Sequence, residues 1–522
     1  MEFKIIENGE IINRKNLLTT RDMSTLEFQM RIFDLITLEQ TPILEKLNFI
    51  KIIDSNLKEF ISLRLPDMDE DEQEYAIHTI ESIYYNMGQV LDDINDLHNE
   101  YMEPDDELFY EIKNKNIRYI YAGESDLEVE YEVQNIIKMK ENNTSFSLLY
   151  SGEDNFIDSD ADCIIHVPKS VLLIDLYVTC YNEKYKNIVD AKYPIGITKK
   201  EKHNFYNELL ENDIMIRNPY DSYTTVLEFI DEMCCNENIT SIFISLYRTA
   251  KDSCIIKSLI KAKELGKNVC VYIEPTARDN EKDNITNIHL LKEKGIFVRC
   301  NYYNYKVHAK MFCAIDRNYT KYVHVGTGNY NEETARFYTD THLLTTNNSI
   351  ADTILEIFMS IFKKKSLSIS GKSSLVSTSP LNFRHKMNQL ISTEMKKGKN
   401  GRIFIKCNNL CDCAIIENLY KAASIGVKVY IICRTGCTMR PHENIFIRSK
   451  VGQYLEHDRF YIFGSRVFIS SADLLLRNIS KRVELLCELP YQWEKDRVWD
   501  TFKSIWNDEY IHELSIDGKW KI

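Results

Sequence analysis

The sequence predicts an α/β protein, with two α/β domains in tandem behind a helical N-terminal domain and a reduced α+β middle domain. Three observations carry this expectation: a long internal repeat in the second half, apolar stripes at helical spacing near the N-terminus, and short β-rich fragments between them. The expected bounds are 1–115, 116–215, 216–365 and 366–522. At 522 residues and roughly 150 residues per domain, three or four domains are expected. The content of 44% hydrophobic and 27% charged residues is ordinary for a globular protein and excludes collagen-like, low-complexity and wholly disordered chains. With 65 Lys+Arg against 78 Asp+Glu the net charge is −13. That balance disfavours a nucleic-acid coat or membrane-surface protein but allows a local basic channel for a polyanion.

The start, MEFKIIENGEIINRK, lacks the charged-then-apolar pattern of a signal peptide. No apolar run reaches the roughly 18 residues of a spanning helix, the richest, Val171 to Val178, being broken by Asp175. The fourteen cysteines are scattered, so a cytoplasmic setting with free thiols is expected. Cys407, Cys411, Cys413, Cys433 and Cys437 cluster without paired zinc knuckles and read as ordinary thiols. From Ser24 to Tyr110, LEFQMRIFDLI, ILEKLNFIKII and YAIHTIESIYYNMGQVLDDINDL carry apolar residues at helical spacing. Asn56, in DSNLKEF, reads as a turn or helix start between two such stripes. The following stretch to Tyr206 is β-rich, with no motif.

The repeat organises the rest. SIFISLYRTAKDSCIIKSLIKAKELGKNVCVYI from Ser241 and RIFIKCNNLCDCAIIENLYKAASIGVKVYII from Arg402 align at an offset of 160 from Ile255 onward. Each reads strand, amphipathic helix, Gly stop and strand, which is a βαβ unit. The Ser-rich stretch from Lys363 to Pro380 reads as an exposed connection between the copies. Each copy continues into a His-x-basic pair at the start of an apolar strand: His308 and Lys310, then His457 and Arg459. Residues i and i+2 of a strand share a face, so His308 and Lys310 project together. A neutral imidazole beside an ammonium is a nucleophile suited to phosphorus, because the cation discourages imidazole protonation and holds phosphate oxygens. The GTGN run ending at Asn329 offers backbone N–H groups and an amide to phosphate. Arg248, Arg278 and Arg434 follow strands at the edge where βα units bind ligands, and guanidinium suits phosphate. No P-loop string occurs, since the lone GKS at Gly371 has Ser366 where the first Gly belongs.

The runs KVHAKM, YVHVGTGNYNEETARFYTD, SPLNFR, YLEHDRFYIF and SNLKEF resemble polyphosphate kinase, the ATP–polyphosphate phosphotransferase whose two C-terminal domains are built like phospholipase D. The resemblance spans nearly all of residues 21–115 and 216–490. It implies that His308 becomes phosphorylated and that His457 is a second essential histidine, with Lys310 beside them. It implies ATP contacts at Asn56, Tyr338, Arg434 and His457, and phosphate or polyphosphate contacts at Arg248, Arg278, Asn329 and Arg459. Arg248 and Arg278 match positions associated with magnesium-bound nucleotide; an arginine cannot ligate Mg²⁺, so they would clamp the phosphates that carry it. The implied partners are ATP/ADP and inorganic polyphosphate, with no nucleic acid, and the family admits peripheral membrane association and a homo-oligomer. Two departures stand out. The middle, about 116–215, is shorter than the family's head domain, which helps subunits associate. The loop after Arg434, CTMRPHEN, is compressed, with Arg440 the alternative ATP-site arginine.

The expected activity is reversible transfer of the ATP γ-phosphate to polyphosphate through a phosphohistidine. Two rivals differ from it. A phospholipase D-like phosphodiesterase needs His-x-Lys-x4-Asp in both halves, yet Asp316 falls one residue late and the second half has no such Asp. A polyphosphate-binding protein without turnover is suggested by the shortened middle.

Overall fold

The computed structural model describes residues 19–101 and 203–522, except 251–252, 278–279, 371–374 and 453, together with strands and isolated positions before residue 179. The chain divides into two bodies, residues 22–192 and residues 1–21 with 193–522. The hairpin of β1 (Lys4–Glu7) and β2 (Glu10–Asn13) belongs to the second.

In the first body the helical stripes become α1 (Arg21–Thr37), α2 (Ile43–Leu63) and α3 (Glu70–Tyr101). Leu47, Ile50, Ile53, Leu57, Phe60 and Ile61 of α2 are buried, the i, i+3, i+4 pattern of one apolar face. Asn56 therefore lies inside α2, and the expected turn or helix start is wrong. The run stays helical because the Asp54 and Asn56 side chains bond to other side chains rather than to their own backbone. Asp54 pairs with Lys58 at 2.8 Å and accepts from the Tyr84 hydroxyl at 3.2 Å, while Asn56 Nδ2 donates to Gln29 Oε1 at 3.0 Å. Beyond α3 come two three-stranded sheets. One is β3 (Leu108–Lys113), β4 (Asn116–Tyr121) and β5 (Leu127–Glu132); the other is β6 (Ile136–Glu141), β7 (Thr144–Tyr150) and β8 (Cys163–Val167).

The second body holds both copies of the repeat. The first copy runs α4 (Phe205–Glu211), β9 (Ile214–Asn218), α5 (Thr224–Cys235), β10 (Ile239–Leu246), α6 (Cys254–Glu264), β11 (Asn268–Ile273), α7 (Glu281–Glu293) and β12 (Phe297–Arg299). It continues through β13 (Lys306–Val307), β14 (Lys310–Asp316), β15 (Lys321–Gly326), β16 (Tyr338–Thr345) and α8 (Asn348–Phe362). The second copy has β17 (Val376–Ser379), α9 (Phe383–Met395), β18 (Arg402–Leu410), α10 (Cys413–Ser424), β19 (Lys428–Cys437) and β20 (Ile445–Ser449). Then follow β21 (Leu455–Glu456), β22 (Arg459–Phe463), β23 (Arg466–Ser470), α11 (Leu476–Lys481), β24 (Arg482–Glu488), α12 (Gln492–Trp506), β25 (His512–Leu514) and β26 (Trp520–Lys521).

In both copies the expected βαβ unit is present. β10 and β11 run parallel with Ile242 opposite Val269, and β18 and β19 run parallel with Ile403 opposite Val429. Gly266 and Gly426 stop the helices between them at φ +80° and +96°, a left-handed turn that costs glycine little. One apolar core crosses the seam between the copies, joining Met311, Val325, Ile354 and Phe358 to Ile462, Ile469, Leu485 and Phe502.

The sheets also trade strands. β13 leaves its own sheet and pairs in parallel with β24 of the second copy, Val307 opposite Val483. β21 does the reverse, pairing in parallel with β16 of the first copy, Thr339 opposite Glu456. Each exchanged dipeptide immediately precedes a His-x-basic pair, so both histidines are delivered to the seam.

The Ser-rich connection is only partly as expected. Its end, β17, is buried and pairs antiparallel with β24. The Thr378 hydroxyl donates to Glu484 O at 2.8 Å and the Ser379 hydroxyl to Asn478 O at 2.9 Å, which lets small polar residues lie inside.

The copies are further clasped at α12. Arg497 donates to Met215 O at 2.6 Å, and buried Glu494 faces Asp213 at the foot of β9. Burial first, then the Asp213 charge, pushes the Glu494 carboxyl up to about 8, against the Tyr491 N–H and Lys495, which favour ionisation. The folded chain thus binds more protons than the unfolded one between the ordinary carboxyl range and pH 8, so stability falls as pH rises through that interval. Replacing Glu494 with Gln removes this loss. The variant should unfold at a higher temperature than wild type at pH 9 and at a similar one at pH 5 in thermal scans.

Candidate functional site

The first histidine is fixed through its own backbone. The N–H groups of His308 and Ala309 both donate to Val483 O at 2.9 Å, a consequence of the β13–β24 exchange. Its imidazole, only 12% exposed, sets Nδ1 2.9 Å from Oε1 of Glu484, a fully buried residue on β24. Glu484 also accepts from the Ser471 hydroxyl at 2.6 Å. With Nδ1–H donated to that carboxylate, Nε2 keeps its lone pair. Lys310 Nζ is 3.0 Å from both ring nitrogens and 2.5 Å from His308 O. Burial, then the charges of Lys310, Arg482 and Arg459, holds His308 well below the ordinary imidazole range, so the ring is neutral. Burial likewise pulls the Lys310 ammonium well below its ordinary range. Burial lifts Glu484 to about 7, although Lys310 and Arg482 favour its charge.

The second histidine repeats the arrangement with the copies reversed. His457 N–H donates to Thr339 Oγ1 at 3.1 Å, and Nδ1 lies 2.8 Å from Oδ1 of Asp340 on β16. Asp340 is buried, but His457 and the Thr327 hydroxyl, which donates at 2.6 Å, hold its carboxyl down at about 2. Burial and Arg459 hold His457 at about 4. Next to His457, Asp458 is surrounded by Lys406 of β18 and by Arg217 of β9, whose Nε is 2.9 Å away, so an ion cluster joins the second copy to the first.

The other expected residues divide. Tyr338 stands 5.1 Å ring to ring from His457, and Arg434 lies half-buried within electrostatic reach of Tyr338, Arg459 and Asp473. Burial lowers the Arg434 guanidinium below its ordinary range. The alternative, Arg440, sits apart: its backbone is tied to the Tyr420 hydroxyl at 2.8 and 2.9 Å, and its guanidinium lies beside Gly518. Arg248 follows Tyr247, whose ring meets His308 edge to face at 4.6 Å. Arg278 lies outside the described residues. Asn329 has a buried Oδ1 with no hydrogen bond among the described residues. Arg459, expected to face phosphate, has its guanidinium engaged within the protein by Asp473, Thr327 O and His457 O. Asn56 belongs to the other body.

The glycines of GTGN admit neighbouring side chains. A Cβ on Gly328 would lie 2.1 Å from Asp340 Oδ2, and one on Gly326 would lie 2.9 Å from His342 Nδ1. Gly328→Ala must therefore push Asp340 off His457. It should cost about 1–3 kcal/mol in denaturant unfolding, the usual price of overpacking, and lower turnover as well.

Sequence reasoning missed Glu484, Asp340, Arg482 and Tyr247. It also missed a buried chain of hydrogen bonds from Tyr330 OH to His324 Nδ1 (2.6 Å), His324 Nε2 to His342 Nδ1 (2.8 Å) and His342 Nε2 to Asn218 Oδ1 (2.8 Å). Of the clustered cysteines, Cys407, Cys433 and Cys437 are buried, Cys413 is exposed, and all are free thiols. No group of three or more His, Cys, Asp or Glu among the described residues could hold a metal. The site carboxylates Asp340, Glu484, Asp458 and Asp473 are each turned to a histidine or a basic side chain. The described residues therefore do not fit a metal held by the protein alone. No helix among them is long and apolar enough to cross a membrane.

Three family models match the chain: Polyphosphate kinase N-terminal domain over residues 18–120, C-terminal domain 1 over 204–367 and C-terminal domain 2 over 376–522. A polyphosphate kinase of Staphylococcus haemolyticus is 32% identical over 404 residues, covering 72% of this chain and 55% of that one. One of Yersinia pestis is 36% identical over 321 residues, covering 58% and 46%. The chain spans about half the length of the curated relatives it matches. The crystal structure of polyphosphate kinase from Porphyromonas gingivalis shares the fold, with a TM-score of 0.78 at 22% identity over 97% of this chain and 95% of that one.

Proposed function

This chain belongs to the polyphosphate kinase family, and we propose that it transfers the γ-phosphate of ATP to inorganic polyphosphate, reversibly, through His308. The observation that carries this reading is the neutral His308 imidazole, with Nδ1 tied to Glu484 and Lys310 beside it. Nε2 of His308 attacks the γ-phosphorus in line. A nitrogen–phosphorus bond forms, the bond from phosphorus to the β–γ bridging oxygen breaks, and ADP leaves with the electron pair. A terminal oxygen of polyphosphate then attacks the same phosphorus, the nitrogen–phosphorus bond breaks, and the imidazole is restored with the polymer one unit longer. Phosphoryl transfer needs positioning and charge neutralisation above all. Lys310, Arg248 and Arg434 supply charge at the seam, and His457, held by Asp340, positions or exchanges protons with the phosphate group opposite. Tyr338 and Arg434 take the nucleotide, with Arg278 added by family resemblance. Arg248 and Arg434 would hold the ATP phosphates, and magnesium carried on those phosphates would supply further charge neutralisation.

Incubating purified protein with ATP and Mg²⁺ tests the reading: polyphosphate and ADP should accumulate together. Phosphodiester hydrolysis without ATP, or polyphosphate binding with no ADP–ATP exchange, would replace it.

A further inference from the structure

Lys310 and Arg459 hold the same station in the two copies, two residues after their histidines, yet their surroundings differ. Arg459 is committed to a carboxylate, with Nε and an Nη at 3.3 and 3.2 Å from the Asp473 oxygens. Strand pairing sets Lys310 opposite Gly326 and Arg459 opposite Ser470, so the counterpart of Asp473 in the first copy is Asn329. The first copy thus has a neutral amide where the second has a charge. Lys310 makes no ion pair among the described residues. Its Nζ contacts only His308 and lies over the ring of Tyr247, 5.5 Å from the centroid. The same ring meets the His308 imidazole at 4.6 Å and 82°. Tyr247 is itself fixed: it is buried just past the end of β10, and its carbonyl accepts from Asn284 Nδ2 at 2.8 Å.

We propose that Tyr247 is a positioning residue whose ring holds the Lys310 ammonium against the His308 imidazole while leaving the ammonium charge uncommitted for the transferred phosphoryl group. A carboxylate at that station would neutralise the cation in a desolvated site, and the incoming phosphate would have to displace it. An aromatic face attracts an ammonium more weakly, yet excludes water and fixes its direction. The charged groups around Lys310 are Glu484, Arg459, Arg482 and Asp340, with His308 in contact. The ring adds to the attraction of the two carboxylates without consuming a charge. The inference rests on His308 being the nucleophile.

The test is single-turnover labelling of the full chain by γ-labelled ATP with Mg²⁺, in wild type, Tyr247→Phe, Tyr247→Leu, Asn329→Asp and His308→Ala. Tyr247→Phe keeps the face and should label within about twofold of wild type, whereas Tyr247→Leu should slow by about tenfold or more with a nearly unchanged KM for ATP. Because the ring favours the ammonium, its loss should move the alkaline limb of the labelling rate to lower pH. Asn329→Asp, which installs the carboxylate of the second copy, should slow labelling comparably in a folded protein and move the alkaline limb to higher pH; that shift separates a neutralised Lys310 from a lost phosphate contact at Asn329 and decides the matter if Tyr247→Leu does not fold. The inference is overturned if His308→Ala is silent while Tyr247→Leu or Asn329→Asp labels at the wild-type rate, or if Tyr247→Phe is as slow as Tyr247→Leu. Labelling of His308→Ala would instead overturn the nucleophile assignment, and this inference with it.

Discussion

His308→Ala should abolish both the acid-labile label from γ-labelled ATP and polymer synthesis, with a rate loss on the order of 10⁴-fold or more, because no other group can replace a covalent nucleophile. The fold should survive. The His308 segment is anchored by backbone bonds to Val483 that alanine keeps. Circular dichroism and thermal unfolding close to wild type would therefore separate a chemical from a structural loss. Persistence of the label would move the nucleophile elsewhere.

Glu484→Gln should be nearly as severe, by on the order of 10²–10⁴ in kcat, the scale expected when the carboxylate that sets a histidine tautomer is lost. The pH dependence gives this a sign. Burial holds the Glu484 proton to about pH 7. Below that pH a protonated Glu484 donates to Nδ1, and the imidazole then carries its own proton on Nε2, facing the phosphorus. Above it the carboxylate accepts from Nδ1–H, and Nε2 is free to attack. The wild-type rate should rise as pH increases through about 7, until Lys310 loses its charge and the rate declines. The Gln variant should lack the rising limb. A profile of kcat/KM for ATP from pH 5.5 to 9.5 reads both; an intact rising limb in the variant would assign it to another group. Asp340, ionised at every pH above about 2, makes no such limb, so two carboxylates in matching places behave differently.

The repeat, its helices and the two His-x-basic pairs are legible in the sequence because each depends on local periodicity or on one short spacing. The carboxylate partners are not, since Glu484 lies 176 residues from His308 and Asp340 117 residues before His457. A signal did exist: RVELLC and YTDTHLL each place one acid inside an apolar strand, and a buried acid needs a partner. What the sequence does not carry is which partner, because that follows from the register of strands exchanged between copies. Tyr247 was hidden for the same reason, as an aromatic residue just past a strand end looks like core until Lys310 is found over it. Asn56 and the Ser-rich stretch show the opposite failure. Both carry residues that favour turns, and in both the side chains found partners across the packing that overrode the local preference.

The traded strands make this duplication irreversible. Two copies that each complete the other's sheet no longer amount to two independent domains in one chain; they are one body whose halves are both incomplete when separated. A half expressed alone would present an unfilled strand position and a histidine without its acid, while the two halves expressed together hold every part needed to reassemble. Neither copy can then be simplified into a passive scaffold, because the residue that readies each histidine is kept by its twin.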